Sequence, residues 1–329
     1  MKTFANANAR TPQDAARRSQ QARAAGQQPV FAGGGTDVLQ LVKDRILSPD
    51  VIVNLKTMPN LNQVTRSAAG VSIGGQITLD ALSRNEIIRK DYPVLAEAAA
   101  SVATPQIRNV GTIAGNVAQR PWCWYYRNAF PCYKNGGNQC FSFAGENQFH
   151  AIFGGGPSYI VHPSDTAPAL LALGATFRIM SPTGERRVPA ADFFVLPRQN
   201  AAVENVLAGD DVLVSIDLPA VKAGSRGHYF KVMDREAWTH AVVSAAVVLE
   251  MDGDVCRTAR VVLGGVAPIP WRLPNVEQML AGQRITDDLA VRASEAAIAG
   301  ARALSKNAYK IPMTKGVVRR TLLQVAQQA

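Results

Sequence analysis

Histidine is scarce in this chain, with only four in 329 residues. None stands in a grouping that would form a Ser–His–Asp or Cys–His triad, so hydrolysis through an activated nucleophile has no visible support. No apolar run reaches the roughly 20 residues that a membrane-spanning helix requires. The opening MKTFANANARTPQDAARRSQ has no apolar h-region, so Arg17-Arg18 does not read as an export signal. Four cysteines in a chain of this length are too few for a disulfide framework. Internal repeats and low-complexity segments are also absent.

What remains is an ordinary globular composition, 47% hydrophobic and 18% charged, long enough for about two domains. The net charge of +10 would suit nucleic acid, an acidic protein surface or a phosphorylated cofactor. The basic residues are scattered, with Arg10, Arg17, Arg18 and Arg23 early and Lys306, Lys310, Lys315, Arg319 and Arg320 late. Such scatter reads as a solvated surface and disfavours nucleic-acid binding.

Thr11 is placed to cap a helix over Thr11 to Ala25, with Pro12 in its first turn. Pro29 to Ala32 reads as a strand that runs into Gly33-Gly34-Gly35-Thr36-Asp37, and Val38 to Leu47 as a helix. Strand, glycine turn and helix together present free backbone N–H groups to an anion. The segment is neither a P-loop nor GxGxxG, and a tight structural turn is the competing reading. Val51 to Leu55 and Val71 to Gly75 alternate as strands, and Thr78 to Arg89 and Pro93 to Val102 read as helices. A glycine-punctuated stretch, Ile107 to Asn116, follows. Ile160-Val161 reads as a buried strand, and Ser164 or Asp165 as the cap of a helix over Ala167 to Leu173.

Thr176 to Met180 and Glu185 to Val188 form a hairpin pattern. Lys222 to Gly227 reads as a linker, followed by strand-like runs over Ala241 to Met251 and Val255 to Val262. Helical stretches near Val276 to Leu280 and Asp287 to Leu304 close the pattern. Strands and helices interleave without a βαβ beat, so the expected class is α+β.

The densest chemistry lies between Thr104 and Asp165, where QIRNVGTIAGN and HPSD flank a loop containing Cys123, Cys132 and Cys140. FAGGGTD, QIRNVGTIAGN, HPSDTAPAL and YFKVMDR occur in an order and spacing that resemble the FAD-binding medium subunits of the molybdenum hydroxylases, the xanthine dehydrogenase and aldehyde oxidoreductase family. The resemblance spans nearly the whole chain. It implies an FAD-binding domain of the vanillyl-alcohol-oxidase type over 1–222, with subdomains of about 1–57 and 58–222 and the cysteine loop at 119–158. A smaller α+β flavoprotein domain over 223–329 would follow.

Phe31, Ala32, Gly33, Gly34, Gly35, Thr36, Asp37 and Val38 would then wrap the FAD pyrophosphate. Thr112, Ile113, Ala114, Gly115 and Asn116 would form a second cofactor loop, with Arg108 beside it. Asp165 would hold cofactor hydroxyls, Lys231 would lie near the flavin ring and Leu213 would be its apolar neighbour. The partners implied are a molybdenum-cofactor large subunit and a [2Fe-2S] small subunit, with electrons leaving the flavin for an external acceptor.

The insert RPWCWYYRNAFPCYKNGGNQC resembles the cysteine loop of the periplasmic aldehyde oxidoreductases, in which four cysteines hold a [4Fe-4S] cluster. Trp122, Trp124, Tyr125, Tyr126 and Phe130 would wrap it, and the N–H groups of Gly136 and Gly137 would face its sulfurs. The position of the fourth cysteine is Ser158 here. Serine ligation, a labile or three-iron cluster, and three buried thiols without iron all stay open. The loop favours a periplasmic location by co-export with a signal-bearing partner, and a cytoplasmic one otherwise. A self-sufficient flavin oxidoreductase would need a substrate-facing base, for which only His150 and His162 are near; a basic scaffold or nucleic-acid-binding protein would hold no flavin.

Overall fold

A computed structural model describes residues 2–236 and 239–328. Three sheets organise them. The first is parallel, with strands Ala5–Asn8, Val51–Asn54 and Pro29–Ala32 in spatial order. The second is antiparallel and runs Val64–Ser67, Gly70–Gly74, Val212–Pro219, Thr176–Ser181, Gly184–Pro189. The third, also antiparallel, runs Trp271–Arg272, Val255–Gly264, Val243–Asp252, Ser225–Val232. This is the mixed α+β architecture in two parts that the sequence pattern implies.

Local rules explain most of the boundaries. Thr11 Oγ1 accepts from Asp14 N at 3.0 Å and starts the helix Pro12–Ala24. The single helix expected over Thr78 to Arg89 is two, Leu79–Arg84 and Glu86–Asp91. Asn85 divides them, because its Oδ1 accepts from both Ile87 N and Ile88 N and so begins a new helix. Asn85→Ala should cost about 1 kcal/mol, read by chemical denaturation.

The expected linker at Lys222 to Gly227 is partly strand, since Ser225–Val232 pairs fully with Val243–Asp252. Gly227 serves packing there: a Cβ would lie 3.2 Å from Val94 Cβ on the helix Pro93–Ala100. Ile160-Val161 is not a strand, although Ile160 is buried. The chain here is tied by isolated bonds, among them Ala151 N to Tyr159 O and His162 N to Ala267 O. The helix Lys310–Ala326, of 17 residues, has no counterpart in the sequence reading. Pro312 falls in its first turn, where a missing N–H is tolerated.

One core joins the middle sheet to Pro93–Ala100 and Thr166–Ala172, with Phe177 and Phe193 at 4.4 Å between ring centroids. It reaches Tyr229, Ala246 and Val262 on the third sheet, whose other face packs on Val317, Val318, Leu322 and Val325 of the last helix.

Candidate functional site

The first sheet ends where the chemistry begins. Leaving Pro29–Ala32, the chain turns through three glycines into the helix Val38–Lys43. Gly35 takes φ +76°, a left-handed conformation that side chains resist. Gly34 lies so close to the neighbouring loop that a Cβ would fall 2.2 Å from Val110 O. The backbone N–H groups of Gly33, Gly34, Gly35, Thr36 and Asp37 find no acceptor in the protein among the described residues. A row of unpaired donors beside a cleft is an anion cradle.

The cleft has a volume of about 890 Å³. Phe31, Gly33, Gly34, Gly35, Thr36, Asp37 and Val38 line one side, Thr112, Ala114, Gly115 and Leu213 another. Gln76, Arg120, Tyr126, Lys134 and Glu204 complete it, none of them among the cofactor residues that the resemblance implies. Gln76 follows the doublet Gly74-Gly75 at a strand end, a signal of the same kind as the first glycine turn. Its Oε1 is buried without a partner, an acceptor available to a ligand hydroxyl or N–H. A volume of this size, a row of donors for a pyrophosphate and a free acceptor fit FAD.

The other expected residues lie outside this lining. Ala32 ends the strand before the turn. The Ile113 side chain is fully buried in the core. Asn116 Oδ1 accepts from Ser164 Oγ at 2.6 Å and Thr166 Oγ1 at 2.7 Å. Arg108 Nη1 donates to Val102 O at 2.8 Å. Ser164, rather than Asp165, caps the helix Thr166–Ala172, accepting from Ala167 N at 3.0 Å.

Asp165 and Lys231 are one another's partners, 2.7 Å apart, with side chains 4% and 2% exposed. Tyr229 Oη donates to Asp165 at 2.8 Å, and Lys231 Nζ also donates to Ser101 O and Thr239 O. Burial and the Asp165 charge push the Tyr229 phenol well above its ordinary range, so it stays a donor. Lys231→Met would leave a buried carboxylate with one neutral donor, and we expect a loss of about 3–5 kcal/mol in unfolding free energy. Urea titration of the variant checks this.

The loop at 119–158 brings Cys123, Cys132, Cys140 and Ser158 to one small cavity. All four cysteines are free. Cys123 Sγ lies 3.3 Å from His150 Nε2, and Cys140 Sγ lies 3.1 Å from Ser142 Oγ. Burial, with Cys140 and Cys132 adding to it, pushes the Cys123 thiol up to about 11. Tyr125 and Tyr126 are buried around the cavity, whereas Trp122 and Trp124 are exposed. Gly137 N–H donates to Cys132 O at 2.9 Å, so it is engaged by the loop itself and not free for a sulfur. Among the described residues no group of three or more His, Cys, Asp or Glu is close enough to hold a metal ion. Three thiols and a hydroxyl border this cavity, whose volume of about 10 Å³ is that of a single water.

Ion pairs tie the cysteine loop to the cleft. Asp37 Oδ1 accepts from Arg127 Nη2 at 2.6 Å, and its Oδ2 from Arg120 N at 2.9 Å. The Asp37 carboxylate therefore braces the glycine turn against the loop. On the far side, Lys310 Nζ donates to Phe149 O, His150 O and Gly265 O at 2.9, 3.2 and 2.7 Å. Neither His150 nor His162 reaches the cleft. Burial depresses both imidazoles, to about 4 and about 3 respectively, with Lys310 adding to the effect on His150 and Lys134 on His162.

A glycine turn that presents a row of N–H donors on a parallel sheet, followed by a separate antiparallel domain, defines a two-domain flavin-binding protein. Residues 4–221 match the family model for the FAD binding domain in molybdopterin dehydrogenase, and 228–325 the CO dehydrogenase flavoprotein C-terminal domain. The chain is 32% identical to the aldehyde oxidoreductase FAD-binding subunit PaoB of Escherichia coli (strain K12), over 100% of both chains. It is 28% identical to the carbon monoxide dehydrogenase medium chain of Hydrogenophaga pseudoflava, over 88% of this chain and 86% of that one. A solved structure of carbon monoxide dehydrogenase from Hydrogenophaga pseudoflava superposes with a TM-score of 0.77 at 26% identity, covering 99% of this chain and 97% of that one. The chain belongs to the FAD-binding medium subunits of the molybdenum hydroxylases, and it is an oxidoreductase subunit whose cofactor is FAD.

Proposed function

We propose that this chain is the electron-transfer subunit of a heterotrimeric molybdenum hydroxylase that oxidises an aldehyde. A large subunit would hold the molybdenum cofactor, and [2Fe-2S] centres of a small subunit would deliver electrons to the FAD for passage to an external acceptor. An N-heterocyclic substrate is the alternative; full-length similarity to an aldehyde oxidoreductase subunit favours the aldehyde. The observation that carries the reading is the row of N–H groups from Gly33 to Asp37, unpaired among the described residues, beside a cleft of flavin size. FAD supplies the redox chemistry, while the chain supplies phosphate donors from the glycine turn and acceptors such as Gln76 Oε1. No histidine lines the cleft, so a self-sufficient oxidase would lack that base.

The cysteine loop is read as a second redox site. Cys123, Cys132 and Cys140 would hold a [4Fe-4S] cluster, with Ser158 as the fourth ligand. Iron would have to displace the proton that burial keeps on Cys123, so loading would release protons. Exposed Trp122, Trp124, Phe143 and Phe149 around the loop support docking onto a partner. Periplasmic location by co-export is part of the same proposal.

Co-expression with the neighbouring subunits tests the reading. The expected result is a stable complex with the visible spectrum of a flavin and with iron beyond that of the small subunit. A chain that stays monomeric and oxidises aldehydes alone would overturn it.

A further inference from the structure

One run of side-chain contacts joins the second domain to the glycine turn. It begins at His240, just before the strand Val243–Asp252 and within the second matched domain. The His240 and Trp122 rings lie 5.2 Å apart, centre to centre, and His240 Nδ1 lies 3.3 Å from Pro163 O. Thr239 O, beside it, accepts from Lys231 Nζ at 3.1 Å, which ties this segment to the Asp165–Lys231 pair. Trp122 Nε1 donates to Gln119 Oε1 at 3.3 Å, and the Arg127 guanidinium sits 4.2 Å from the centre of the Trp122 ring.

Arg127 carries the contact inward, with a side chain 8% exposed. Its Nη2 donates to Asp37 Oδ1 at 2.6 Å and to Arg120 O at 3.1 Å, and its Nε to Pro121 O at 2.9 Å. Its Nη1 is buried with no partner among the described residues. Asp37 closes the row of glycine-turn donors, and its other oxygen accepts from Arg120 N at 2.9 Å. Neither Trp122, Arg127 nor His240 lines the cleft, so their route to it runs through Asp37. A buried ion pair adds little net stability, and a buried N–H without a partner costs some. What the arrangement supplies is position, because an indole over a guanidinium restricts where its planar fork can point.

We propose that Trp122 and Arg127 are positioning residues for FAD, a strap through which the seating of His240 holds the glycine turn in place. While His240 and Trp122 touch, the guanidinium is kept on Asp37 and the N–H groups from Gly33 to Asp37 stay in their row beside the cleft. Once that contact is lost, Arg127 gains rotamer freedom, Asp37 loosens and the cofactor leaves faster. FAD retention then depends on the second domain, although no described residue of that domain lines the cleft. The inference needs only FAD in the cleft and is independent of what the cysteine cavity holds.

The test is the rate of FAD release from the full chain, co-expressed with the neighbouring subunits, read as free-flavin fluorescence after dilution. Trp122→Ala and His240→Ala should each speed release about tenfold, whereas Trp122→Phe, which keeps a ring over the guanidinium, should stay near wild type. The double variant Trp122→Ala/His240→Ala should release no faster than Trp122→Ala alone, because both changes break one run of contacts. His240→Ala lies outside both the cysteine loop and the cleft lining, so a local defect of either does not explain its effect. It decides the matter against Trp122→Phe should Trp122→Ala fail to assemble. Unchanged release in the alanine variants, or effects that multiply in the double variant, would overturn the inference. So would faster release from His240→Ala accompanied by a lower urea midpoint of the flavin-free protein, the mark of general loosening.

Discussion

Gly34→Val should abolish FAD binding. The branched side chain cannot be placed without moving backbone, because its Cβ would fall 2.2 Å from Val110 O and 2.8 Å from Gly111 Cα. The glycine turn and the loop before Thr112 are pressed together there, and separating them misplaces the donors from Gly33 to Asp37 and the Thr112 wall at once. Phosphate recognition by several N–H groups is cooperative in geometry, so losing the arrangement loses most of the binding free energy. We expect flavin content to fall more than tenfold, about 1.4 kcal/mol or more in affinity, measured as FAD released from denatured protein. Gly316→Ala is the control, since it lies outside the cleft and its Cβ would meet nothing within 4 Å, and it should keep its flavin. Full flavin in Gly34→Val would show that the glycine turn is not the cradle.

The second large effect concerns iron. If Cys123, Cys132, Cys140 and Ser158 hold a cluster, replacing one thiolate by an alkoxide hardens that corner and loosens its iron. Anaerobic protein should contain about four irons per chain beyond those of the partners, falling to about three in air. Ser158→Cys should keep all of its iron in air with flavin unchanged. Cys132→Ala should lose it, because this thiol is the most buried of the three in the loop. Iron analysis with electron paramagnetic resonance before and after oxidation reads both variants. Iron-free protein with normal flavin from anaerobic growth would mean that the thiols only pack.

Local rules were enough for the parts of this fold that local rules build. The Thr11 cap with Pro12, the hairpin across Pro182-Thr183-Gly184 and the strand–glycine–helix turn at Pro29 to Val38 were legible from residue type and spacing. Failures came where one residue had two uses. Gly227 looks like a linker residue and is a packing contact; Asn85 sits in a helical pattern and divides it. Pro312 and Gly316 disguise a helix that is held by burial of its apolar face.

The site divided in the same way. The glycine donors were readable, because few other residues permit such a backbone. The network of Arg120, Lys134 and Glu204 was not, since it joins residues about 70 apart or more that no local period connects. Asp165 and Lys231 were each legible as important, but their mutual pairing needed the third sheet to bring them together.

The clamp that Lys310 places on Phe149 O and His150 O has a consequence for biosynthesis. The two segments are 161 and 160 residues apart in the chain. At ribosomal rates of about 5–20 residues per second, the cysteine loop waits roughly 8–30 seconds for the lysine that fastens it. During that interval the Phe149–His150 end lacks its clamp, while the ion pairs of Arg127 with Asp37 and of Arg120 and Lys134 with Glu204 can already hold the rest of the loop. The end of the loop at Phe149 and His150 therefore stays loose for a time set by translation itself, until the last helix emerges.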